Sequence, residues 1–303
     1  MAKFTPAYIR LAASGELRQR AQAAHERLKR CEMCAHACRV NRLAGELGRC
    51  RSGARARVSS FGAHPGEEAP LSGWIGSGTI FFARCNLACI YCQNFDISQS
   101  DDGQEAAPEQ LAWIMLRLQE QGCHNINLVS PSHVVAPILA ALVAAVEGGL
   151  RLPLVYNSGG YDALDTLRLL DGVVDIYMPD MKYADAEIAR RLSGAEDYPQ
   201  VNQAAVREMH RQVGDLQVVD GLAQRGLLVR HLVLPGGLAG SEAIFRFLAQ
   251  KISPDTYLNV MDQYHPAFHA WDEPLLKRRI TPHEYATALQ DARQAGLKRL
   301  DSG

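Results

Sequence analysis

The chain has 303 residues, of which 47% are hydrophobic, and 32 Lys and Arg stand against 33 Asp and Glu for a formal net charge of −1. That length allows one large α/β domain or two small ones, with enough apolar residues for a sizeable core. The even charge, with no basic block interleaved with aromatics, argues against a nucleic-acid partner.

The start, Met1-Ala2-Lys3-Phe4-Thr5-Pro6, lacks the charged-then-apolar order of a secretory leader. Residues 7–30, rich in Ala, Leu, Arg and Gln, read as helical with an interruption at Ser14-Gly15. A cysteine-rich loop region follows from Cys31 to Cys50, and residues 51–73 read as irregular, rich in Gly, Pro and Ser. Residues 1–73 are therefore expected to form an amino-terminal module on a main domain of residues 74–303. From Thr79 onward short apolar runs alternate with helical patterns. The strands are expected at Thr79–Arg84, Asn125–Ser130, Leu154–Ser158, Val174–Asp180, Leu227–Leu234 and Tyr257–Gln263. Helices are expected over 109–121, 134–147, 163–170, 185–213, 242–252 and 283–296. The longest apolar stretch, Val134 to Val146, contains Pro137 and is too short to span a bilayer, so no membrane partner is expected. Strand–helix repetition predicts a parallel sheet. Six βα units are too few for a closed eight-stranded barrel, which leaves an open partial barrel or a doubly wound sheet. In both, ligands gather at the carboxyl ends of the strands.

The eight cysteines cluster, which favours metal binding over disulfide staples, and with no export signal the cytoplasm is the expected location. Cys85-x3-Cys89-x2-Cys92 follows the first expected strand. Three thiolates in such a loop can each hold one iron of a [4Fe–4S] cluster. The fourth iron then lacks a protein ligand and can chelate the amino and carboxylate groups of S-adenosylmethionine (SAM). A structural zinc site normally asks for four ligands.

Around those cysteines the sequence resembles the radical SAM superfamily, and within it uncharacterised relatives of pyruvate formate-lyase activating enzyme. The resemblance is carried by Gly76-Ser77-Gly78-Thr79-Ile80-Phe81-Phe82, Cys92-Gln93-Asn94, Ile97-Ser98-Gln99, Asn127 to His133 and Arg230 to Gly236. It implies an α/β fold, a partial (βα)6 TIM barrel of the radical SAM type, with an amino-terminal cysteine-rich extension. It also implies SAM as cofactor and a low-potential electron donor such as flavodoxin or ferredoxin. Tyr91 fits the aromatic that the family carries between its last two cysteines.

The polar residues at later strand ends are candidates for SAM. Ser130 or Ser132 stands where the activating enzymes carry Gly-Gly-Glu for the SAM amino group. Asn157 and Ser158 follow the third strand, while Asp180 and Lys182 match the family's Asp-Leu-Lys with Met181 in the middle. Arg230, within the fifth strand, is expensive to bury unless it meets a carboxylate, and His265 lies at the turn after the last strand. His133 and His265 read equally well as hydrogen-bonded structural histidines. Cys123 reads as a small buried side chain. Glu67-Glu68-Ala69-Pro70-Leu71 reads as a solvated acidic turn, although similar segments occur in the uncharacterised relatives.

Cys31, Cys34, Cys38 and Cys50 supply four ligands in twenty residues, with His36 in reserve. They suffice for a second metal site, either zinc or [4Fe–4S]. Two reactions fit the whole: activation of a glycyl radical enzyme, or direct modification of a peptide or small molecule. A non-enzymatic protein with two zinc-binding interaction elements leaves the three-cysteine motif and the polar strand ends unexplained.

Overall fold

A computed structural model of the chain describes residues 4–301. Met1–Lys3, part of the stretch read for a leader, lie outside the described residues. The strands are β1 (Ala56–His64), β2 (Ser77–Phe82), β3 (Gln104–Ala106), β4 (Ile126–Val129), β5 (Leu154–Ser158), β6 (Ile176–Pro179), β7 (Gln217–Val219), β8 (Leu222–Leu232), β9 (Tyr257–Met261) and β10 (Arg299–Asp301). One sheet runs β10-β9-β8-β6-β5-β4-β2-β1-β3, and β7 pairs with β8. From β2 to β10 every neighbour on this path is parallel. β1 lies antiparallel to β2, and β3 antiparallel to β1.

The parallel strands follow one another across the sheet in chain order. A doubly wound sheet must reverse that order at a switch point. Here every crossover advances the same way, and with the right-handed sense such connections take, each carries its helix to the same face. The doubly wound alternative is thereby excluded. The order is consistent with an incomplete barrel whose sheet ends at β3 on one side and β10 on the other.

The helices are α1 (Tyr8–Ala13), α2 (Glu16–Glu26), α3 (Ala69–Ser72), α4 (Phe95–Ser98), α5 (Pro108–Glu120), α6 (Val135–Glu147), α7 (Leu164–Leu169), α8 (Ala186–Ser193), α9 (Tyr198–Val213), α10 (Ser241–Phe247) and α11 (Pro282–Ala295). Their ends follow local chemistry. Pro108 opens α5, where its missing N–H is no loss. Asp185 caps α8 by accepting the Ile188 N–H at 2.8 Å, and Thr281 and Glu284 cap α11 reciprocally. α6 is apolar nearly all round because it is covered by α5 on one side and α2 on another.

Strand alternation divides the sheet into two faces. Ile80, Phe82, Ile126, Leu128, Leu154, Tyr156, Tyr177, Leu227 and Val229 pack against the helices. Val155, Ile176, Met178 and Leu228 face the opposite way and form a smaller core with Leu71 of α3. This inner face becomes polar toward the carboxyl ends of the strands.

Two expectations need correction. Residues 51–73 are not wholly irregular, since β1 occupies nine of them and continues the main sheet beside β2. Its alternating burial reaches only the first residues, which masks it as a strand. The expected helix over 185–213 is two, α8 and α9, separated after Gly194, which adopts a φ of +62°.

Candidate functional site

The three-cysteine loop leaves the carboxyl end of β2, where Arg84 turns the chain with a φ of +68°. Each sulfur has a donor close by. Cys85 Sγ accepts the Leu87 N–H at 3.4 Å, Cys89 Sγ accepts the Ser193 hydroxyl at 2.9 Å, and Cys92 Sγ lies 3.2 Å from Ser98 Oγ. Tyr91 is buried and accepts the Tyr183 hydroxyl at 2.7 Å; Tyr183 also meets Ser193 at 2.6 Å. Tyr91, Tyr183, Ser193 and Cys89 thus lie in one run of polar contacts. Burial pushes the Cys85 thiol up to about 12 and raises Cys89 as well, so a metal taken up here must displace protons. Among the described residues, no three Cys, His, Asp or Glu converge on a point where one bare ion would touch them all. A cubane places each thiolate on a separate iron and does not require such a point. The donor set, three thiols with hydroxyl and amide partners, fits a cluster with one open iron.

Beside the loop, the inner face carries one continuous polar network. Asp180, just past β6, pairs in register with Arg230 of β8, which pairs with Asn259 of β9. Arg230 donates from Nε to Asp180 at 3.0 Å and from Nη2 to Asn157 Oδ1 at 2.9 Å. Lys182 Nζ donates to the other oxygen of Asp180 at 2.6 Å. Burial alone would push the Asp180 carboxyl up, but Arg230 and Lys182 outweigh it and hold it below the usual carboxylate range. Lys182 is also held above its ordinary value: burial opposes this, but Asp180, Tyr91 and Cys89 together prevail. The Asp180–Lys182 pair therefore adjoins the cysteine loop, joining two groups that the sequence marks separately.

The network includes two residues read as a solvated turn. Glu68 is buried and Glu67 nearly so, with side chains 4% and 11% exposed. Glu67 Oε2 accepts the amides of Asn127 and Asn157, and Glu68 Oε1 accepts that of Asn259 at 3.0 Å. Burial raises Glu67 despite Arg230 nearby. They enter from the segment between β1 and α3.

The remaining candidates divide. Ser130, with a φ of +59°, donates its N–H to Asn157 O at 2.9 Å and sits at the edge of the network. Ser132 is fully buried. Ser158 points to the other face, where its hydroxyl and that of Tyr156 both serve the buried Asp162, at 2.7 and 2.8 Å. His265 is exposed on the rim, 3.2 Å from Gln93 of the cysteine loop. Cys123 is buried, as its sequence surroundings suggest.

Cys31, Cys34, Cys38 and Cys50 line one enclosed cavity with His36, Arg42 and His133. Arg42, 2% exposed, donates to His133 O at 2.7 Å and approaches Cys31 Sγ at 3.7 Å, while the Arg49 N–H approaches Cys38 Sγ at 3.5 Å. The cavity abuts the three-cysteine loop, since His36 Nε2 lies 2.8 Å from Asn86 O.

No family model matches the chain. Uncharacterized protein MJ0674 of Methanocaldococcus jannaschii is 33% identical over 279 residues, spanning 89% of this chain and 76% of that protein. The chain belongs to the MJ0674 family. Among solved structures, a radical SAM methyltransferase from Sphaerobacter thermophilus superposes with a TM-score of 0.51 at 16% identity, over 74% of this chain and 65% of that one. The chain thus spans just under two thirds of that enzyme's length, and the likeness shows a shared fold. The structure of anSMEcpe with bound AdoMet gives a TM-score of 0.49 at 11% identity, over 72% of this chain and 61% of that one. Among the described residues no helix is long and apolar enough to cross a membrane.

Proposed function

We propose that this protein is a radical SAM enzyme whose [4Fe–4S] cluster is held by Cys85, Cys89 and Cys92. The observation that carries this reading is the placement of three hydrogen-bonded thiols beside the Asp180–Lys182–Arg230 network, at the carboxyl ends of the strands. When bound and reduced by a low-potential donor such as flavodoxin or ferredoxin, such a cluster supplies the electron that cleaves SAM to a 5′-deoxyadenosyl radical. The chain's own residues hold and orient. Asn157, Asp180, Lys182 and Arg230 offer donors and acceptors for the hydroxyl, carboxylate and amino groups of SAM. Ser193 and Ser98 donate to sulfur, and Tyr91 shields the loop from water. The four cysteines of the amino-terminal module suit a second [4Fe–4S] cluster better than zinc, because no three of them meet at a point where one ion would touch them, and the sheet curves as a partial barrel.

The substrate reading that fits best is direct modification of a peptide or small molecule. A buried network with five charged side chains suits a substrate that carries charge of its own. The backbone glycine of a glycyl radical enzyme offers none.

Anaerobically reconstituted protein with dithionite and SAM should yield 5′-deoxyadenosine, and replacing Cys85, Cys89 and Cys92 together with Ala should abolish it. Product formation by the triple variant would overturn the assignment.

A further inference from the structure

Holding SAM at the strand ends leaves Glu67 and Glu68 without a task. Two acceptors among them and their neighbours have no donor in the protein: Glu68 Oε2 and Asn127 Oδ1. Their residues are only 7% and 0% exposed, so bulk water does not serve them. A buried acceptor left unpaired costs about 1–3 kcal/mol, and two within one network suit a ligand that brings N–H groups. Asn127 already gives its amide to Glu67, which places its free oxygen beside the carboxylates.

Charge points the same way. Three carboxylates, Glu67, Glu68 and Asp180, face two cations, Arg230 and Lys182. Both cations are committed to Asp180, Arg230 through Nε and Lys182 through Nζ. Arg230 Nη1 stands 4.0 Å from Glu67 and 3.9 Å from Glu68, too far for a hydrogen bond. The glutamate pair therefore has amide partners and one distant ion-pair partner, Arg230, but no charge-assisted hydrogen bond. Buried carboxylates in that state are stabilised most by a cation that also donates hydrogen bonds. Glu67 joins the two orphaned acceptors: it takes the Asn127 amide, and its Oε1 and Glu68 Oε1 stand 4.0 and 3.9 Å from the same Arg230 nitrogen, so the two carboxylates and the Asn127 oxygen belong to one acceptor-rich patch that suits an ammonium or a guanidinium.

We propose that Glu67, Glu68 and Asn127 bind a protonated amine or guanidinium on the substrate, seated on the inner face of the sheet beside the groups that take SAM. The proposal rests on the radical SAM reading for what happens to that substrate, but not for its binding.

Isothermal titration of the anaerobically reconstituted holoprotein at pH 7 tests it, with putrescine, agmatine and Nα-acetyl-lysine N-methylamide as probes. Nα-acetyl-norleucine N-methylamide is the uncharged control. At least one cation should bind saturably and the control should not. A response to the diamine or agmatine alone indicates a small-molecule substrate, and a response to the lysine amide indicates a peptide side chain. Glu68→Gln, checked for unchanged iron content and circular dichroism, should weaken binding about tenfold to a hundredfold. Glu68→Asp, which keeps the charge and shortens the reach, should fall between. The proposal fails if no cation binds, or if Glu68→Gln binds as the wild type does. It also fails if saturating SAM excludes the cation, because the carboxylates would then serve the cofactor's amino group. Binding is read without SAM cleavage, so a protein that binds the cation yet yields no 5′-deoxyadenosine would break the radical SAM reading alone.

Discussion

The two cysteine groups touch across His36 and Asn86, yet their surroundings differ in kind. The three-cysteine loop borders a polar network of Asp180, Lys182, Arg230 and Asn157 near the carboxyl ends of the parallel strands. The four cysteines close on a cavity sealed by Arg42, His133, Met33 and Val40. An incomplete ligand set is useful only where a second molecule can reach the metal, and a complete set is useful where none can. Cysteine spacing shows the number of ligands. The neighbouring side chains show whether the site opens on anything.

The sharpest way to break this contrast is at Asp180. Its removal strands two buried cations on the open side and touches no cysteine. Asp180→Ala should cost about 3–5 kcal/mol of stability and weaken SAM binding roughly five- to a hundredfold, with iron content unchanged. Asp180→Asn keeps shape and part of the hydrogen bonding. If Asn behaves as wild type, Asp180 acts through hydrogen bonds and not as a cation ligand. If both variants bind and cleave SAM normally, the network beside the loop is not the SAM site. The pairing also fixes a pH sense. The Asp180 carboxyl is held low, so its contribution is present at neutral pH and is lost as pH falls through its lowered value.

Arg42 probes the closed side. Nε and Nη2 donate to Gly53 O, and Nη1 to His133 O and Cys31 Sγ. Arg42→Met keeps the packing stem but leaves those acceptors bare, costing about 2–3 kcal/mol. Metal bound by the four cysteines should fall, as read by elemental analysis, while 5′-deoxyadenosine formation persists. Equal loss of metal from both sites would show that the two regions are one cooperative unit.

Local pattern made part of this legible. β5 lies where its apolar run predicts, at Leu154–Ser158, because burial on both faces leaves an unbroken run between turns. β1 is hidden because only two of its nine residues are buried and its partner, β2, is thirteen or more residues away. Asn157 and Ser158 were both candidates for one site, yet adjacent strand residues must point to opposite faces. Only Asn157 reaches the network, and alternation alone could have separated them. Glu67 and Glu68 were harder. The residues that bury and bond them, Asn127, Asn157, Arg230 and Asn259, lie 59 or more positions away in sequence, and no local pattern announces them. The one available signal is an acidic pair directly before Ala69-Pro70, a helix start leading into the first parallel strand.

The smallest effect compares the two regions through one buried histidine each. His133 lines the four-cysteine cavity. His231 sits behind the Asp180–Lys182 strand end, with Nδ1 2.7 Å from Met181 O and Nε2 2.8 Å from Ser241 Oγ. Burial pulls both down to about 4. An unfolded histidine titrates near 6.5, so between about 6.5 and 4 the unfolded chain binds more protons than the folded one. Stability therefore rises with pH through that window and is lost as pH falls. Each histidine contributes a slope of up to about 1.4 kcal/mol per pH unit. Urea unfolding of His231→Gln from pH 4.5 to 6.5 should show the slope reduced by one proton's worth, since Gln can still donate to Met181 O but cannot charge. His133→Gln decides whether the regions unfold together. If they do, it lowers the global slope by the same amount. If the cysteine module opens first, the global slope stays near wild type and only the pH dependence of metal release from the four cysteines changes. A His231→Gln slope equal to wild type would mean that His231 is not held neutral in the fold.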